Sequence, residues 1–131
     1  MDEVIAMMPL ARDLGIEVVA ASKDEVRARL AWSERLCTSG GVLHGGALMT
    51  LGDTAGALCA FLNLPEGAGT TTIESKTNFF AGIPIGETAH AECVPLHVGR
   101  STIVLQTRIS RADGRLAAIV TQTQMVLEAK G

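Results

Sequence analysis

The sequence predicts an α+β fold, with one long central helix wrapped by a curved antiparallel β-sheet. Three observations predict it. Segment 45–62 is apolar on nearly every side, so it must be buried by something. Four long strand-like runs follow it, and the links between them are too short for crossover helices. With 131 residues, 47% of them apolar, the chain forms a single domain over residues 1–131 with a substantial core.

The elements follow in order. Val4, Met7, Met8 and Ala11 recur at helical spacing, which predicts a leading helix from Glu3 to Leu14 with Gly15 as its stop. Ile16 to Ala21 and Glu25 to Ala31 read as strands joined by a turn at Ser22-Lys23-Asp24; the second alternates Val26, Ala28 and Leu30 with Arg27, Arg29 and Ala31. In the segment from Gly45 to Leu62, Leu48, Leu51, Ala55, Leu58 and Leu62 share a face, and Pro65-Glu66-Gly67 ends the helix. The later strands are Thr70–Phe80, Glu87–His97, Ser101–Arg111 and Leu116–Glu128, and the short links between them predict antiparallel neighbours.

Composition excludes several classes of function. The formal charge is −3 and the basic residues are scattered, which argues against a nucleic-acid partner. Acids near the start do not suit a secretory signal, and no apolar run is read as membrane-spanning, so a cytoplasmic protein without a membrane partner is expected. Cys37, Cys59 and Cys93 are an odd set without metal-ligand spacing and are read as reduced packing residues.

The chemistry concentrates in Gly40-Gly41-Val42-Leu43-His44-Gly45-Gly46 and in Asp53. Gly45 and Gly46 fall in the first helical turn, where backbone N–H groups lack acceptors and can polarise a carbonyl. His44 could hydrogen-bond that carbonyl or position a leaving group; alternatively it only caps the helix. Asp53 is a poor mid-helix residue in the most apolar part of the chain. As a functional group it is a general base or a nucleophile, and as a structural one it bonds strand amides or hydroxyls. Cys37 is a weaker candidate nucleophile. Asp53 lies eight residues beyond Gly45, roughly 12 Å along the helix at about 1.5 Å per residue. One acyl carbon cannot touch both, so joint action requires the acid of one subunit to meet the helix entrance of another across a two-fold axis.

His44-Gly45-Gly46 followed by Leu51 and Asp53-Thr54-Ala55, in a chain of this length and strand order, resembles the hotdog-fold acyl-CoA thioesterases of the phenylacetic-acid-degradation and hydroxybenzoyl-CoA thioesterase type. The resemblance implies hydrolysis of acyl-CoA to a free acid and coenzyme A, with no metal or redox cofactor. It implies that Asp53 is the catalytic carboxylate, that the Gly45 amide polarises the thioester carbonyl with Gly46 beside it, and that His44 supports thiolate departure. Thr72 matches a position whose hydroxyl orients the nucleophilic water. Asn78 and Phe80, within Asn78-Phe79-Phe80-Ala81, match a strand end lining the acyl and pantetheine channel. Gly99, Arg100 and Ser101 match a turn that meets the nucleotide of coenzyme A. A homodimer, often paired again into a homotetramer, is also implied.

Two positions depart from that pattern. Thr38 stands where many relatives carry Asn or Gln, and Ala57 where many carry Ser or Thr. A non-catalytic acyl-CoA-binding module would keep the glycine entrance but could dispense with Asp53; an acyl-thioester hydratase would carry a His-Phe-Pro type segment, absent here. Phe79 and Phe80 point to opposite strand faces, so at most one lines a pocket while the other joins the core. Arg100 by itself reads as a solvated turn charge; Trp32, the five methionines, His90 and His97 read as structural.

Overall fold

The leading segment does not form one helix. In the computed structural model, which describes residues 2–129, it splits into α1 (Asp2–Ala6) and α2 (Pro9–Leu14). Pro9 carries no N–H and its ring opposes a continuing helix, whereas its fixed φ suits the first turn of a new one. Gly15, at φ 85°, closes α2 in the left-handed conformation. Met1 lies outside the described residues.

Strands β1 (Glu17–Ala21) and β2 (Val26–Leu30) form the expected hairpin. Ser22 stabilises its turn by accepting the N–H groups of Asp24 and Glu25 on its hydroxyl, each at 3.2 Å. A 3-10 turn, Glu34–Leu36, leads through a glycine-rich loop into α3 (Gly45–Leu62). The remaining strands are β3 (Gly69–Phe79), β4 (Ala89–Val98), β5 (Thr102–Ser110) and β6 (Leu116–Leu127). All six strands form one antiparallel sheet in the order β1-β2-β4-β5-β6-β3.

That order corrects one expectation. The link through Gly82-Ile83-Pro84-Ile85-Gly86 does not join neighbours, because β5 and β6 lie between β3 and β4. The connection crosses beneath the helix entrance instead. Ile83 is completely buried there, and its carbonyl accepts the Leu43 N–H at 3.0 Å. Among the described residues β3 therefore bonds only to β6, and its other edge has no strand partner.

The sheet curls around α3, burying Leu48, Leu51, Ala55 and Leu58 as the spacing predicts, while Leu62 is half-buried. Its length and a mean hydropathy of 1.3 would also suit a membrane span, contrary to the expectation from the sequence. Burial explains that apolarity, since more than half of the helix is buried inside the fold, largely against the strands. Small residues set the close approach: a Cβ on Gly52 would stand 2.6 Å from Val120 Cγ2. Cys59 and Cys93 are fully buried, and Trp32 packs on the core while its indole N–H donates to Gly41 O at 2.9 Å. The packing role expected of the methionines fails for Met7, Met49 and Met125, which are exposed.

Candidate active site

Asp53 projects from the one face of α3 that the sheet leaves open. Its neighbours along that face are Gly46, Met49 and Thr50, at the helical spacing that keeps residues on one side. β3 supplies the opposite wall with Thr72 and Ser75, and Leu10 of α2 closes an open groove of about 380 Å³.

The carboxylate is held by the sheet. Thr72 Oγ1 donates to Asp53 Oδ1 at 3.0 Å, and Gln122 Nε2 donates to the same oxygen at 3.1 Å. Thr72 in turn accepts from Gln124 Nε2, and Thr70 Oγ1 lies 3.0 Å from Gln124 Oε1. The predicted partner Thr72 thus contacts the acid directly. Gln122 and Gln124 escaped the sequence reading, although Thr121-Gln122-Thr123-Gln124 carried a usable signal: strand alternation puts both amides on the core face, where an amide needs a partner.

At the helix entrance, His44 is the N-cap. Its Nδ1 accepts the Gly46 N–H at 2.8 Å, so the proton of the neutral ring lies on Nε2, which has no acceptor among the described residues. This corrects the expectation for Gly46, whose amide is committed to the cap even though the residue lines the groove. Among the described residues the Gly45 N–H has no acceptor, so this is the amide available to a carbonyl oxygen. The Phe79 ring lies across Gly45, and a Cβ there would stand 3.1 Å from Phe79 Cζ.

The other predicted residues are dispersed. Thr38 is exposed in the loop before His44, its N–H bonded to Val42 O at 2.9 Å, and it does not line the groove beside Asp53. Asn78 pairs with Ile119, so it lies on the face of β3 opposite Thr77 and Phe79, whose partners Val120 and Ala118 face α3. Neither phenylalanine joins the core, since Phe79 is 50% and Phe80 55% exposed, and it is Phe79 that meets the helix entrance. Gly99, Arg100 and Ser101 form the β4–β5 turn, beside the end of β6 that pairs with Gly69, away from the entrance where Phe79 covers Gly45. Ser101 O accepts the Val126 N–H there at 2.8 Å.

The cysteines play no part in the groove beside Asp53. Cys37 directs its thiol toward the carbonyls of Ser33 and Gly41, at 3.3 and 3.4 Å, and His44 Nδ1 is spent on the cap rather than on the sulfur. Cys59 is held far above the usual thiol range, chiefly by its hydrogen bond to Cys93 and then by burial. Among the described residues no group of three His, Cys, Asp or Glu side chains could hold a metal ion.

Comparison with known proteins agrees with this geometry. The family model described as the thioesterase superfamily matches residues 40–118, which include the helix entrance and Asp53. The chain is 28% identical to the proofreading thioesterase EntH of Cronobacter turicensis over 81% of its length and 77% of that protein. It is 29% identical to the 1,4-dihydroxy-2-naphthoyl-CoA hydrolase of Listeria monocytogenes, over 86% of this chain and 90% of that one. Among solved structures, a thioesterase from Haemophilus influenzae superposes with a TM-score of 0.87 at 27% identity, covering 93% of this chain and 85% of its own. A residue pattern, a wrapped helix and a matched family model therefore converge: this chain belongs to the thioesterase superfamily and has the hotdog fold.

Proposed function

We propose that the protein hydrolyses acyl-CoA thioesters to a free acid and coenzyme A. The observation that carries this reading is Asp53: a solvent-accessible carboxylate anchored through one oxygen, in a groove lined by apolar and hydroxyl side chains. Such a group serves as general base for water or as nucleophile on the acyl carbon. The Gly45 N–H supplies the oxyanion donor, and His44 Nε2–H is placed to meet the carbonyl or the departing thiolate. The names of two relatives, a proofreading thioesterase and an aroyl-CoA hydrolase, support the reaction class. The proposed chemistry needs no metal or redox cofactor, coenzyme A entering as part of the substrate. The Gly99-Arg100-Ser101 turn carries a positive charge suited to its phosphates. Three free thiols suit a reducing, cytoplasmic setting.

The active unit in this proposal is a homodimer, the building block of a homotetramer. Eight residues separate Gly45 from Asp53, roughly 12 Å of helix, so the acid of one subunit works with the entrance of its partner. The outer edge of β3, which has no strand partner among the described residues and is exposed along most of its length, supports an assembly that extends the sheet from subunit to subunit. The test is steady-state release of coenzyme A from aryl and straight-chain acyl-CoA thioesters by wild type and Asp53→Asn. Turnover that vanishes in a folded variant supports the proposal; equal turnover by both proteins, or none by wild type, overturns it.

A further inference from the structure

The hydrogen bonds divide the two oxygens of Asp53 unequally. Oδ1 accepts from both Thr72 and Gln122, whereas among the described residues no donor reaches Oδ2. The donor from β6 is unusual in two respects. Gln122 is 1% exposed, and its Oε1 has no hydrogen-bond partner among the described residues, an energetic cost that a residue kept only for packing would avoid. Its amide also fits against Gly56 of α3, one turn beyond Asp53 on the neighbouring face, where any Cβ would overlap the amide oxygen.

We infer that Gln122, seated against Gly56, is a positioning residue that pins Asp53 through Oδ1 and thereby leaves Oδ2 as the reacting oxygen. The orientation of the amide follows from charge: turning Oε1 toward the carboxylate would oppose two acceptors, so Nε2 faces Asp53 and Oε1 faces the Cα of Gly56. The other donor is oriented in the same sense. Thr70 can donate to Gln124 Oε1, Gln124 Nε2 donates to Thr72, and the single proton of Thr72 is left for Asp53. Both strands beneath the acid therefore aim donors at one oxygen. Gly56 becomes a requirement of the site because it creates the space that the amide occupies.

This inference rests on the proposed hydrolysis by Asp53, and the test separates the two. Gln122→Met keeps the length of the side chain and removes the donor; Gly56→Ala displaces the same amide from the other side. Neither residue is among those lining the groove beside Asp53. Each variant is expected to lower kcat about tenfold or more, the scale of a lost hydrogen bond to a charged group, with KM for acyl-CoA unchanged. The double variant is expected to be no slower than the slower single one, because both substitutions break the same contact. Losses that multiply, a raised KM with kcat retained, or kcat within about twofold of wild type would overturn the inference. If Gly56→Ala fails to fold, the split between kcat and KM in Gln122→Met decides alone. An inactive Asp53→Asn beside a fully active Gln122→Met removes only the positioning role. An active Asp53→Asn, or an inert wild type, removes the hydrolytic reading and this inference with it.

Discussion

Gly52→Ala gives a test of how the helix is seated. In an ordinary exposed helix the change gains about 1 kcal/mol from helix propensity. Here the new methyl group would stand 2.6 Å from Val120 Cγ2, 3.0 Å from its Cβ and 3.2 Å from its Cγ1. Val120 is fully buried on β6 and cannot swing into solvent. Overpacking of this kind costs about 2–3 kcal/mol, so the net destabilisation is about 1–2 kcal/mol. For a chain of this size that lowers the midpoint of thermal unfolding by roughly 3–10 °C, measured by circular dichroism. Val120→Ala should then cost less in the Gly52→Ala background than in wild type, with a coupling of about 1 kcal/mol or more. A Gly52→Ala protein that melts at or above wild type would refute the claim that steric contact with Val120 fixes the helix position.

His44→Ala removes the cap on Gly46 N–H and is expected to cost about 1 kcal/mol of stability, read from urea unfolding. Ile83→Ala opens a cavity under the helix entrance at a fully buried position, with an expected loss of about 2–5 kcal/mol in the same assay. Because Cys59 is held protonated by its bond to Cys93 and by burial, a thiol reagent added to the native protein near neutral pH is expected to modify half-buried Cys37 first. Cys59 should react only on unfolding, and its rapid labelling in the folded state would contradict the burial described for it.

The central helix, the hairpin at Ser22 and the helix start at His44 were legible because each depends on local pattern. Apolar residues at helical spacing report burial, and His44 with two glycines reports a helix start. Strand order was not legible in the same way. Nothing local distinguishes the link through Ile83 from a hairpin loop; its crossing becomes evident only when Ile83 is seen buried against Leu43. The break at Pro9 was readable in principle, since a proline in mid-pattern ends one helix and begins another. The site was half legible. Asp53 stood out as a charge in an apolar helix, whereas Gln122 and Gln124 lie about 70 residues away in sequence. Gln122 meets the acid only because β6 packs against α3, and Gln124 bonds Thr72 across the pairing of β6 with β3. A polar residue on a core-facing strand position points to a partner without naming it.

Two glycines connect this packing to the chemistry. Gly52 and Gly56 are one turn apart on α3 and meet Val120 and Gln122, alternate inward residues of β6. At Gly52 the missing Cβ admits an apolar side chain, and the helix comes close enough to the sheet for Asp53 to be reached from two strands. At Gly56 it admits the amide itself. A helix held farther from the sheet by alanines at both positions would keep its apolar face buried and its capped entrance intact, since neither feature needs the closest approach. It would lose the contacts with Thr72 and Gln122, which at 3.0 and 3.1 Å already lie near the long end of the usual hydrogen-bond range of about 2.7–3.2 Å. Folding thus demands only that these positions be small and apolar, while an anchored carboxylate demands glycine.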